Sequence, residues 1–236
     1  MNNNLVTKLI YRACFCAFSF FTILFITGFF SIGGHDRVTV NEDMFYYYTN
    51  LSNYFCFAIA IACLCDDARQ LSAGTLRGHT RSPILKHAKY CTTLIIAVTF
   101  LAYGILLGDP ASLSFWNDLP NVCYHVACPV LFILDTILFD EHKSVGFLDP
   151  FAALIFPLLY VIVIEIMGAQ TGRYPYFFLD KNQLGMTGLF TWIAILLSLF
   201  LVLGYILFLY DKLVKKDGKW KLDFSHTPAF GFGKKG

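Results

Sequence analysis

Six apolar stretches, at residues 9–30, 44–65, 90–108, 121–139, 151–168 and 184–210, take up most of this 236-residue chain and constrain its fold more than any other feature. At 1.5 Å per residue, about 20 helical residues cross a hydrocarbon core of about 30 Å, and in lipid a spanning segment must satisfy its backbone polar groups internally. The stretches therefore predict an all-α polytopic membrane protein, a bundle of six transmembrane helices within residues 1–210. Residues 211–236 form a basic tail, and the short connections leave no room for a soluble domain. Charged residues are 14% of the chain, against about 25% in soluble domains. The first stretch follows Lys8 and Arg12 as a signal peptide would, but its length and the missing A-x-A site predict a retained span.

Lys and Arg set the orientation. One side of a six-span chain receives Lys8, Arg12, Arg69, Arg77, Arg81, Lys86, Lys89 and Lys143, together with Lys212, Lys215, Lys216, Lys219, Lys221, Lys234 and Lys235. The other side receives only Arg37, Arg173 and Lys181. Fifteen of 18 basic residues on one side predict that both termini are cytoplasmic. An odd number of spans would mix these loops. The basic loop and tail are expected to meet anionic lipid headgroups. A net charge of +2 is too small to predict a nucleic-acid partner.

The eight cysteines form no C-x-x-C pair and no Cys/His spacing suited to zinc, so neither a metal nor another cofactor is expected. They read as small packing residues in helices. Cys14 and Cys16, like Cys63 and Cys65, point to different sides of a helix, which disfavours a disulfide-exchange site.

Polar residues inside apolar spans are where function is sought. The second span opens Tyr46-Tyr47-Tyr48-Thr49-Asn50-Leu51-Ser52-Asn53-Tyr54, which puts Thr49, Ser52 and Asn53 on one helical face. The fourth carries His125, Pro129 and Asp135, and the fifth carries Glu165. Counted along each helix, Thr49 lies roughly 7–8 Å, His125 roughly 6 Å and Glu165 about 9 Å below the same outer boundary. Asp135 falls in the inner half, where it is expected to face Lys143 or Lys86 in a structural role. A hydroxyl becomes a nucleophile when a base takes its proton, and neutral imidazole is the usual base near pH 7. Thr49 or Ser52 beside His125, with Asn50, Asn53 or backbone N–H groups on the oxyanion, is a minimal set for acyl transfer. The same residues also suit plain helix packing: Thr and Ser bond back to their own carbonyls, and Asn and His join helices. Glu165 is expected to pair with Arg173. Pro129 is expected to bend the fourth span next to His125. Tyr174 and Tyr176 suit an interfacial aromatic belt.

The Tyr/Thr/Asn/Ser/Asn cluster, His125 with Pro129, and the loop Gly172-Arg173-Tyr174-Pro175-Tyr176 together resemble the bacterial Pr6Pr-type group of six-span membrane proteins. More distantly, the chain is similar to the androgen-induced and androgen-dependent membrane hydrolases of animals. Those are intramembrane threonine hydrolases that split fatty-acid esters of hydroxy fatty acids with one Thr and one His. The resemblance implies Thr49 as nucleophile, His125 as its base, an acyl-threonine intermediate, a lipid ester entering from the bilayer, and a bacterial plasma-membrane location. It covers nearly the whole chain. Ser52, one turn after Thr49, departs from the animal pattern and is a second candidate nucleophile. Asn50, Asn53, Glu165, Tyr174 and Asp180 are candidates for support or substrate binding. A small transporter or lipid-binding protein built on the same polar residues is the alternative, and a scaffold subunit is a third reading.

Overall fold

The computed structural model describes residues 3–29, 43–72, 81–108, 112, 116, 118–140, 144–216, 219–225 and 227–231. Phe30, Arg37, Arg77, Lys143, Lys234 and Lys235 of the sequence reading lie outside the described residues. Six helices are long and apolar enough to cross a membrane: α1 (Asn3–Ile26), α2 (Tyr48–Ser72), α3 (Pro83–Leu107), α4 (Leu119–Phe139), α5 (Asp149–Thr171) and α6 (Lys181–Lys212). The all-α expectation holds with one addition. The basic tail is not featureless: Leu213–Lys216 (β1) and Lys219–Leu222 (β2) pair antiparallel, Leu213 opposite Leu222. Helices α1 and α4 pack on each other, α2 packs on α1 and α3, and α3 also packs on α4 and α6. Leu94 and Ile96 of α3 and Phe132 of α4 are wholly buried.

Several helices run past the apolar stretches that predict them, and the reasons are local. Pro83 sits at the first turn of α3, where a missing N–H costs nothing, and Ser82 caps it by accepting from the Leu85 amide at 3.2 Å. Asp180 caps α6 through the Asn182 amide at 2.9 Å. A short first turn then joins the long helix at Gly185, whose φ of 65° is cheap only for glycine.

The larger extension is electrostatic. At the end of the bundle that carries most Lys and Arg, α1, α2, α3 and α4 share a buried ion network. Arg12, 1% exposed, bonds Asp135 at 2.9 Å and Asp140 at 3.1 Å and also pairs with Asp67. Lys89, also 1% exposed, pairs with Asp135 and bonds Asp140 at 2.7 Å. Arg81 reaches Asp67 and Asp140 at 3.2 Å, and Lys8 reaches Asp67 at 2.7 Å. Lys8 and Arg12 are thus part of α1 itself and not a polar lead-in. Asp135 is structural as expected, but its partners are Lys89 and Arg12; Lys86 is not among them. Four cations face Asp66, Asp67, Asp135 and Asp140, so the helices continue until those charges meet.

The tail closes the same end. Lys212 donates to the Val145 carbonyl at 2.6 Å, and Asp211 accepts from the Ser144 and Val145 amides at 3.1 and 3.0 Å. Beyond the hairpin the chain returns as a strap: the Phe147 and Leu148 amides donate to the carbonyls of Pro228 and Ala229 at 3.0 and 2.6 Å, and the Gly231 amide donates to Asp149 at 3.1 Å. A Cβ at Gly146 would strike the Phe230 backbone, so only glycine lets the strap lie this close.

Two outcomes test this arrangement. Arg12→Ala leaves buried aspartates uncompensated and is expected to cost about 3–5 kcal/mol, read as a lowered Tm in detergent micelles. Gly146→Val is expected to lift the strap, so that the Phe147 and Leu148 amides exchange hydrogen at least about tenfold faster while core amides of α3 keep their rates.

Candidate functional site

At the opposite end of the bundle the backbone departs from α geometry twice. Tyr103–Leu107 closes α3 and Cys123–Ala127 interrupts α4 as single π-helical turns. Such insertions are uncommon and often lie at functional sites. The cause of the second is visible in the sequence. In the π turn the Cys128 amide bonds the Cys123 carbonyl, so the next carbonyl, that of Tyr124, would pair with residue 129, which is Pro129 and has no N–H. Asn53 supplies the missing donor: its Nδ2 donates to the Tyr124 carbonyl at 3.0 Å and to the Thr49 carbonyl at 2.9 Å. Asn53 is fully buried and fixes α2 against α4 directly beside both candidate reactive residues.

That clamp sets the surroundings of Thr49 and His125. Both are more than nine-tenths buried, at 6% and 9% exposure, and both line one cavity of about 380 Å³ with Asn50, Tyr47, Tyr124 and Tyr176. The imidazole stacks on Tyr103, centroids 3.4 Å apart and planes 10° from parallel, and the Tyr103 hydroxyl donates to Asn121 at 2.7 Å. His125 Nδ1 is buried without a hydrogen-bond partner among the described residues. Stacking, and not a carboxylate, therefore orients this histidine. No hydrogen bond joins the Thr49 hydroxyl to His125 among the described residues; what they share is the cavity.

Thr49 also borders a second, apolar cavity of about 80 Å³ between α3, α5 and α6, lined by Val98, Ala102, Val161, Ile193 and Leu197. Thr49, Tyr103, Leu107 and Tyr176 line both cavities. The threonine therefore stands where a polar chamber adjoins an apolar groove.

The remaining sequence candidates divide. Asn50 lines the larger cavity. Ser52 borders neither; its hydroxyl donates to the Thr49 carbonyl at 2.7 Å and accepts from Thr99 at 3.1 Å, which leaves it a buried structural residue. Asn53 clamps helices and has no free donor for an oxyanion. Glu165 lies one turn beyond the cavity-lining Val161 and pairs with Lys181 at 3.2 Å. The expected Glu165–Arg173 pair does not form, because Arg173 turns to Asp43 at 3.1 Å. Tyr174 packs over Gly168 and borders neither cavity, and Asp180 is a helix cap. Tyr176 is not a belt residue: it is buried, with its hydroxyl 3.5 Å from the Thr49 amide. Tyr103 and Tyr124 go unnoticed in the sequence reading, although a tyrosine inside an apolar span needs a partner for its hydroxyl and is a signal for that reason.

Fold and site define a class: a bundle of six helices long and apolar enough to cross a membrane, a hydroxyl and an imidazole on the wall of one chamber, and an apolar groove beside them. The chain matches no protein-family model, no curated protein and no solved structure.

The clamp is open to test. Asn53→Leu strands the Tyr124 carbonyl in apolar surroundings and is expected to cost about 1–3 kcal/mol. Adding Pro129→Ala restores a backbone donor, so the double variant is expected to recover part of that loss, read from thermal unfolding of all four proteins in a double-mutant cycle.

Proposed function

We propose that the chain is an intramembrane hydrolase of fatty-acid esters, with Thr49 as nucleophile and His125 as its base. The observation that carries the reading is the position of Thr49, on the wall of both the chamber that holds His125 and the apolar groove. An ester that lays its acyl chain in the groove brings its carbonyl to the threonine and its alcohol half into the chamber.

In the first step the Thr49 oxygen attacks the ester carbonyl while its proton passes to His125, directly or through one water. The tetrahedral oxyanion collapses, the alkoxide leaves with the proton from the imidazolium, and an acyl-threonine remains. Water then attacks that ester with His125 again as base. It releases the fatty acid and returns the proton to Thr49. A neutral imidazole is the form the first step needs, and the described residues that line the chamber with His125 carry no charge. Catalytic hydrogen bonds are often long in the absence of substrate, so the missing Thr49–His125 bond is compatible with this role.

The reading extends to placement. With the basic end of the bundle facing the cytoplasm of a bacterial plasma membrane, both termini are cytoplasmic, the chamber opens towards the outer leaflet, and the basic tail meets anionic headgroups.

Covalent labelling by a fluorophosphonate probe tests the chemistry. Wild type and Ser52→Ala are expected to label, whereas Thr49→Ala and His125→Ala lose labelling by at least about a hundredfold. Labelling that survives both Thr49→Ala and His125→Ala overturns this assignment, and a wild type that does not label leaves the chamber to lipid binding or transport.

A further inference from the structure

The chamber's lining carries a second message, about the alcohol half of the substrate. Among the described residues no Lys, Arg, Asp or Glu borders the chamber or the apolar groove. The described charges near this end are engaged elsewhere: Arg173 with Asp43, Lys181 with Glu165, and Asp118 and Asp180 as caps of α4 and α6. A phosphate or carboxylate buried here would meet no counter-charge among the described residues.

What the chamber does offer is neutral hydrogen bonding. Asn50 is 7% exposed and its side-chain amide makes no hydrogen bond among the described residues. The imidazole of His125 lines the same wall, stacked on Tyr103. Tyr47, Tyr124 and Tyr176 add hydroxyls and flat aromatic faces to the same wall. A neutral side-chain amide left unpaired on the wall of a chamber is costly, and an uncharged ligand that pairs with Asn50 recovers that cost. Its volume, about 380 Å³, falls in the range of small-molecule sites and exceeds what one ester oxygen needs.

We infer that the chamber receives an uncharged polyol, so that the substrate is a neutral acyl ester of glycerol or a sugar and not a phospholipid or an ester bearing a free carboxylate. The inference rests on the hydrolase reading for the fate of the ester, but not for binding. It departs from the esters that the sequence resemblance implies, which carry a free carboxylate.

Binding can be measured apart from catalysis with ligands that hold no ester. The full chain in nanodiscs is titrated calorimetrically with five dodecyl compounds: 1-O-dodecylglycerol, dodecyl glucoside, dodecyl phosphate, dodecanoic acid and dodecyltrimethylammonium. At least one of the two polyols is expected to bind about tenfold or more tighter than each of the three charged compounds, and the tighter polyol names the head group. Asn50→Leu is expected to erase most of that advantage and leave the weaker, chain-driven affinity in place. Equal affinities across the series, or tighter binding of any charged compound, overturn the inference. The wild-type series decides it even if Asn50→Leu does not fold. A failed labelling experiment with a preserved polyol preference in the wild type removes the hydrolase and leaves the polyol site.

Discussion

A backbone carbonyl without a partner is expensive in an apolar bundle, and Pro129 creates one at Tyr124. The site grows from its repair. Asn53 crosses from α2 to satisfy that carbonyl and simultaneously holds the Thr49 carbonyl, so one amide group joins the turn that carries the hydroxyl to the turn that carries the imidazole. The wide π turn brings His125 against Tyr103, whose own helix ends in a π turn, and the flat contact between the two rings replaces the carboxylate that usually orients a basic histidine. Few side chains are involved, yet each has a second task in the packing.

The two ends of the bundle solve opposite problems. At one end, charges are concentrated and mutually neutralised: Arg12 and Lys89 are essentially inaccessible, and each touches more than one aspartate. Such a network adds little net stability over a well-packed apolar core, but it penalises any register in which the acids and bases miss one another. At the other end, the described charges pair or cap helices beside the two cavities, and the polar groups that line those cavities are neutral. The bundle is closed by paired ions at one end and is polar without charge around Thr49 and His125 at the other.

Much of this was legible in the residues alone. Apolar length is a strong signal, so all six helices are legible, and caps or ion pairs prolong several of them, as Ser82 does for α3 and the Asp67–Arg12 pair does for α2. By contrast, α1 ends at Ile26 and α2 starts at Tyr48, inside their apolar stretches. Thr49 and His125 stand out because a polar run opens α2 and an imidazole lies inside the otherwise apolar α4. Partner choice was not legible. Depth along the helix axis put Glu165 in the same layer as Thr49, but depth does not say which neighbour a side chain meets, and Lys181 lay nearer than the chamber. Ser52 and Asn53 shared a face with Thr49, and their roles depended on Thr99 and the Tyr124 carbonyl, which come from other helices. The strap could not be foreseen either, because it rests on backbone contacts between segments about 80 residues apart, with no side-chain pattern to announce them.

The π turn in α4 also has a bearing on rotational phase. Each α-helical residue advances the side chains by roughly 100°, and a π turn accommodates one extra residue within its span. Downstream of Ala127 the same helix must present Asp135 to Arg12 and Lys89. In an uninterrupted α-helix of the same sequence, a chamber-facing His125 would leave Asp135 about a quarter-turn out of step with its cations. The wide turn lets one helix obey two alignments at once, and it makes the spacing between residues 125 and 135 a mechanical property of the chain.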